Sequence, residues 1–248
     1  VEAVGRDVTR FQPGDEVFGD LWDKWGGFAE YACIGETAVE RMPGSVTFEQ
    51  AASVPQAGVL ALQALRRVDQ INPGDAILIN GAGGGVGTFA IQLAKLSGAK
   101  ATGVDAAHKL DTVRNVGADH VIDYALQDFT STGNTYDLIV DSQGTRPMSS
   151  IKRALKPGAT YAVVGAQMIR VCQMWLQSAL DKFTGETRRL QLVADGPNKG
   201  LAELARLLES GQLVPVIDKT FRLEEVPEAL AYFGGGQHKG KIAVTIGK

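Results

Sequence analysis

The chain has 248 residues, enough to bury a substantial core and divide into two lobes, and its 44% hydrophobic and 21% charged content is ordinary for a globular protein. A formal net charge of -3 offers no electrostatic footprint for nucleic acid or an anionic membrane, and no run approaches the roughly 18 apolar residues of a membrane span. Two cysteines, Cys33 and Cys172, exclude a disulfide framework or a multi-cysteine metal cluster; they suit a reducing, cytoplasmic setting, and each reads as a small buried apolar residue.

Residues 1–56 read as strands and turns. The opening Val1-Glu2-Ala3-Val4-Gly5 reads as the middle of a β-structure, so a segment upstream is expected. Arg10 to Gly19 predicts a turn and a strand, and Phe28 to Ile34 another, with Ala29, Tyr31 and Cys33 on one face and Cys33 packed inward. Trp22 and Trp25, in the connection between them, are expected to pack on a small β core.

From Ala57 the pattern turns helical, with Leu60, Leu62, Leu65 and Val68 leading to the turn Asn72-Pro73-Gly74-Asp75. The next run, Ala76-Ile77-Leu78-Ile79-Asn80, is short and rich in β-branched residues, which predicts a buried parallel strand. It meets Gly81-Ala82-Gly83-Gly84-Gly85-Val86-Gly87, after which Val86, Ala90, Leu93, Ala94 and Ser97 share one helical stripe. Glycines at such a turn let backbone amides approach a pyrophosphate and let the helix lie close to the strand, while the helix start supplies free N–H donors. A second strand, Ala101 to Val104, ends in Asp105, 18 positions after Gly87 and near the roughly 20 expected of an acid that binds a ribose. A strict G-x-G-x-x-G ending at Gly87 requires glycine where Ala82 stands, so the register that fits is Gly81-x-x-Gly84-x-x-Gly87.

Four more apolar runs follow: His120 to Tyr124, Asp137 to Asp141, Tyr161 to Gly165 and Arg189 to Val193. Helical stretches near 107–115, 147–155 and 170–183 separate most of them. Six strands alternating with helices predict an α/β fold, a doubly wound six-stranded parallel sheet that binds its ligand outside the carboxyl ends of the strands. The last segment opens at Asp195-Gly196-Pro197-Asn198, continues as two helices and an alternating strand holding Ile242, Val244 and Ile246, and is expected to return to the first lobe. The expected organisation is therefore 1–56, a dinucleotide-binding 57–194 and a returning 195–248.

These residues, in this order, resemble the medium-chain dehydrogenase/reductase superfamily and, within it, the zinc-free quinone oxidoreductase (zeta-crystallin-like) branch. The resemblance is carried by Val4-Gly5, Phe11-x-Pro13-Gly14-Asp15-x-Val17, Gly27 to Tyr31, Ala51 to Pro55, Gly81 to Gly87, Gly117 to Tyr124 and Gly240-Lys241-Ile242. It implies a Rossmann domain inserted in a GroES-like β-rich substrate domain, whose N-terminal strands precede this chain, and a homodimer paired through the cofactor domain. Zinc members place a four-cysteine lobe where only Leu21 to Gly26 intervene here, and a metal-binding cysteine where Gln56 stands; an amide is a poor zinc ligand, so no zinc is expected. His108, His120 and His238 stand apart from any Cys or acid arranged as a metal site and read as surface or capping residues.

The activity implied is hydride transfer from NAD(P)H to a quinone, an enone or another carbonyl, with no catalytic residue assigned. A metal-free alcohol dehydrogenase or carbonyl reductase and a non-catalytic nucleotide-binding interaction protein stay open beside it. The expected cofactor contacts are Gly81, Gly84, Gly85, Val86, Gly87, Asp105, Lys109 and Tyr124. In the NADPH-using members a lysine and a tyrosine matching Lys109 and Tyr124 contact the 2′-phosphate, whereas a carboxylate at Asp105 accepts from ribose hydroxyls and repels a phosphate. The resemblance tips this contest slightly toward NADP(H) over NAD(H). Leu60, in Gly58-Val59-Leu60-Ala61, replaces a threonine common in the family and removes its hydroxyl.

Overall fold

The structure, a computed structural model, describes residues 1–22, 26–165, 168–185, 187–194 and 196–247, with backbone alone at 182–184. The chain divides into two compact units, Val1–Val59 with Asp195–Lys248, and Leu60–Ala194. In the first, strands β1 (Val17–Gly19) and β2 (Val39–Arg41) pair antiparallel, Phe18 opposite Glu40. Helix α1 (Phe48–Ser53) starts in a capping box: the Thr47 hydroxyl accepts from the Gln50 amide and the Gln50 side chain accepts from that of Thr47. Helix α2 (Ala57–Leu65) then leads into the second unit.

The strand expected over Phe28 to Ile34 does not form, and this corrects the reading of Cys33. No strand among the described residues pairs with the run, and an isolated extended segment has nowhere to place its backbone hydrogen bonds. Cys33 is exposed rather than inward, as are Phe28 and Tyr31. Trp22 is 60% exposed, because a two-stranded sheet offers no broad face to pack on. Trp25 and Asp195 lie outside the described residues.

The second unit runs β3 (Ala76–Asn80), α3 (Gly85–Leu96), β4 (Lys100–Asp105), α4 (Leu110–Asn115), β5 (His120–Asp123), β6 (Tyr136–Asp141), α5 (Met148–Arg153), β7 (Leu155–Val164), α6 (Met168–Thr184) and β8 (Arg189–Val193). The six expected strands form one sheet in the order β5-β4-β3-β6-β7-β8, every neighbouring pair parallel. Ile77, Leu78 and Ile79 of the central β3 are at most 1% exposed. A run buried on both faces needs no polar alternation, and each such side chain contributes about 1.5–3 kcal/mol. Leu78, Val104, Ile139, Ile151, Tyr161 and Met174 belong to one core cluster.

Helix α6 inverts the usual amphipathic arrangement. Arg170, Met174 and Asp181 are buried, while Met168, Ile169, Cys172, Trp175, Leu176 and Leu180 are exposed at helical spacing. The stripe that would normally seek the core therefore faces outward, and Cys172, expected to be buried, lies on it.

The chain ends in the first unit with α7 (Leu201–Glu209), β9 (Ile217–Arg222), α8 (Val226–Gly234) and β10 (Lys241–Thr245), β9 and β10 pairing parallel. Asn198, at φ 58°, turns its amide side chain onto Asp20: Oδ1 accepts from the Asp20 N–H at 2.7 Å and Nδ2 donates to the Asp20 carbonyl at 2.9 Å. One short side chain thus satisfies both backbone groups of a residue far away in sequence.

Candidate active site

The strand order places a crevice in the second unit. From β3 the chain steps to β4 and β5 on one side, then returns to β6, β7 and β8 on the other, so the loops leaving β3 and β6 part at the carboxyl ends of the central strands. The two loops are tied at their roots, where the Ser142 amide and hydroxyl both donate to the Asn80 carbonyl, at 3.1 and 3.0 Å.

The loop after β3 is built on close approach. Gly81 sits at φ 87°, and a Cβ there would overlap the Ser142 hydroxyl. A Cβ at Gly87 would overlap the Gly81 carbonyl, so the first turn of α3 lies directly on the loop. The N-cap, Gly84, supplies no side-chain cap, and the first turn of α3 holds no acidic residue. The Gly84 amide donates to the Gly81 carbonyl at 3.2 Å, whereas Gly85 and Val86 are half-buried and start the helix, so their unpaired amides, with their partial positive charge, open at the crevice and fit an anionic diphosphate. Ala82, the departure from the strict fingerprint, is fully buried and is accommodated by Gly103 on β4: a Cβ at 103 would lie 2.9 Å from that of Ala82. A methyl group in the loop is matched by the lack of one on the strand.

Asp105, Lys109 and Tyr124 come together at this loop. Asp105 ends β4, is 8% exposed, and accepts from the Gly83 amide through Oδ2 at 2.7 Å and from the Ala106 amide through Oδ1 at 2.8 Å. The Lys109 stem covers Gly83: a Cβ there would lie 2.7 Å from Lys109 Cβ and 3.2 Å from Asp105 Oδ2. Lys109 is also 8% exposed, yet its ammonium makes no hydrogen bond or ion pair among the described residues. Tyr124 follows β5, donates its amide to the Asp105 carbonyl at 3.3 Å, and leaves its ring 53% exposed. Gly83, which the fingerprint spacing did not single out, is thus the glycine that the acid and the lysine bracket.

Across the crevice, a cavity of about 500 Å³ lies at the ends of β6 and β7, lined among others by Ser142, Gln143, Gly144, Val163, Val164 and Arg170. Beneath it is a buried polar network. Asp141, 0% exposed, accepts from Asn80 Nδ2 and from the Gln143 and Gly144 amides through Oδ1, each at 2.9 Å, and from the Tyr161 hydroxyl through Oδ2 at 2.7 Å. Burial, reinforced by the Asp141 carboxylate, pushes the Tyr161 phenol far above its ordinary pKa, so it stays a neutral donor. Asn80 and Asp141 end apolar runs and carry no spacing signal, and Tyr161 reads in sequence as one more apolar strand residue.

His108 and His120 are exposed, and the His238 ring stacks on Phe233 with centroids 4.9 Å apart. Among the described residues no three His, Cys, Asp or Glu side chains gather as a metal site. No described helix is long and apolar enough to cross a membrane.

Residues 116–244 match the family model described as zinc-binding dehydrogenase. The chain is 35% identical over 272 aligned residues to the mouse (Mus musculus) protein "NAD(P)H oxidoreductase RTN4IP1, mitochondrial", covering 99% of this chain and 68% of that one. It is 33% identical to "Quinone-oxidoreductase QR1, chloroplastic" of Triphysaria versicolor, over 98% of this chain and 76% of the relative. The solved quinone oxidoreductase of Coxiella burnetii superposes with a TM-score of 0.86 at 28% identity, covering 98% of this chain and 76% of that one. With the glycine cradle, the strand order and these relatives together, the chain belongs to the medium-chain dehydrogenase/reductase superfamily.

Proposed function

We propose that this protein is a zinc-independent oxidoreductase that transfers hydride from NAD(P)H to a quinone or enone acceptor. The observation that carries the reading is the glycine cradle at the uncapped start of α3, set at the switch point of the sheet in a chain similar to quinone oxidoreductases. When bound, the reduced nicotinamide supplies a hydride, two electrons with one proton. The residues of this chain bind and orient. Amides of Gly85 to Gly87 hold the diphosphate, with Gly84 leading into them; Asp105, Lys109 and Tyr124 face the adenosine ribose; the 142–144 loop and its cavity receive the nicotinamide half. The second proton needed to complete a hydroquinone comes from water, and no side chain is assigned to deliver it.

NADPH is the preferred cofactor in this reading. The nine-tenths-buried Lys109 has an ammonium with no partner among the described residues, the Tyr124 ring is exposed at the end of the neighbouring strand, and both Asp105 oxygens already accept backbone N–H groups, which softens their repulsion of a phosphate.

The partner in assembly is a second copy. The exposed apolar side chains of α6, with Leu192 on the neighbouring edge strand, form the kind of outward apolar surface that a partner covers. Exposed free thiols at Cys33 and Cys172 suit a reducing compartment such as the cytoplasm.

Reduced-nicotinamide oxidation measured with a quinone, an enone and a simple ketone tests the reading. Turnover with the first two supports it, turnover with the ketone alone points to a carbonyl reductase, and nucleotide binding with no turnover points to an interaction protein.

A further inference from the structure

We propose that Asp141 and Arg170 are positioning residues for hydride transfer, holding Gly144 by its amide and its carbonyl and so setting the wall of the nicotinamide cavity. The proposal rests on the functional reading above. The chain leaving β6 turns at Gly144, φ 63°, outside any helix or sheet ladder, so its backbone groups must find partners elsewhere. A surface turn would leave them to water. Here two buried charges take them.

Asp141, fully buried, accepts the amides of Gln143 and Gly144, and its remaining capacity is taken by Asn80 and Tyr161 from the strands on either side. Arg170, 6% exposed on α6, donates from Nε to the Gly144 carbonyl at 3.0 Å and from Nη2 to the Gly144 and Arg146 carbonyls, the latter at 2.6 Å; Nη1 meets Met148 Sδ at 3.1 Å. The guanidinium makes no ion pair with a carboxylate among the described residues. Keeping a charge buried against carbonyls is costly, and a fork that spans the carbonyls of Gly144 and Arg146 is something a lysine ammonium does not reproduce. Gly144 is therefore fixed from below by the sheet and from above by α6, and both Gly144 and Arg170 line the cavity. A displacement of about 1 Å at such a site can cost about 100-fold in rate.

Full-length Arg170→Ala, Arg170→Lys and Asp141→Asn separate positioning from folding. The readouts are kcat and KM for NADPH-dependent quinone reduction, the Kd of adenosine 2′,5′-bisphosphate, which occupies only the adenosine half, and the response of kcat to added guanidinium ion. Arg170→Ala is expected to lose about tenfold or more in kcat, with the bisphosphate Kd within about threefold of the parent, and to recover in part with guanidinium. Arg170→Lys remains impaired, and Asp141→Asn, which keeps the side-chain shape, loses kcat with the same unchanged adenosine-half affinity. Unchanged kcat in Arg170→Ala and Asp141→Asn overturns the clamp, as does a joint collapse of kcat and bisphosphate binding that guanidinium does not relieve. A parent protein that neither binds the bisphosphate nor reduces quinone overturns the functional reading, and the clamp with it.

Discussion

Lys109→Met isolates the charge that the cofactor preference depends on. The substitution keeps an unbranched stem over Gly83, where Lys109 Cβ and Cδ come within 2.7 and 3.0 Å of the position a Cβ would take, and removes only the ammonium. With Lys109 8% exposed, its attraction to a 2′-phosphate is screened less than at an open surface. A hydrogen bond to such a charged group contributes about 1.5–3 kcal/mol. Repulsion from Asp105, about 1 kcal/mol at high dielectric, is present before and after the change and cancels from the comparison. The NADPH Kd should therefore rise roughly 10- to 150-fold. NADH, which lacks the phosphate, should shift by less than about threefold. Fluorescence titration of both nucleotides on the parent and the variant reads both values. Equal weakening of the two, or no change in either, refutes the assignment of Lys109 to the phosphate.

Three further outcomes follow from other parts of the molecule. Gly103→Ala drives a methyl into Val113 and to within 2.9 Å of the Ala82 Cβ, so it should destabilise by about 1–3 kcal/mol, seen as a lower Tm, and weaken nucleotide binding through the loop; an unchanged Tm contradicts the packing of Ala82 on β4. Burial raises the Asp119 carboxyl, but the Lys95 ammonium and the Ala101 amide outweigh it and hold its pKa below the ordinary carboxylate value. Its stabilisation is then complete above the ordinary carboxylate value and is lost as pH falls through the depressed folded one, so Lys95→Met should flatten the acid limb of a Tm-versus-pH curve, and an identical limb counts against it. Trp175, 78% exposed on the α6 stripe, should hold two copies together; Trp175→Glu is expected to convert a dimer to monomers in analytical ultracentrifugation, and a parent that sediments as a monomer removes the proposed interface.

What the sequence made legible was whatever depends on local pattern. The run Ala76 to Asn80 could be assigned because a strand covered on both faces needs an unbroken apolar stretch, and its bounds match the observed β3. Asp105 was singled out by its distance from the glycines, since parallel strands joined by helices bring their carboxyl ends to one edge, whereas Lys109 and Tyr124 came only from the family resemblance. Contacts between distant segments left no such trace. That Ala82 is tolerated because residue 103 is glycine, or that Arg170 reaches the carbonyls after β6, follows from packing and not from spacing. The misread run Phe28 to Ile34 failed for the complementary reason: alternation prepares a strand, but a neighbour to pair with makes one. Helix α6 was recognised as a helix, yet its period could not say which face would be covered. Its buried side is held by Arg170 and by Asp181, which accepts from Lys152, rather than by its larger apolar residues.

The most direct measurement of the central claim is quinone-dependent oxidation of NADPH by the purified chain, dialysed against a strong chelator and followed by loss of reduced-nicotinamide absorbance. The account predicts turnover that chelation leaves intact. Loss of turnover on chelation with recovery on added zinc, or saturable NADPH binding with no oxidation by any quinone or enone, would contradict it.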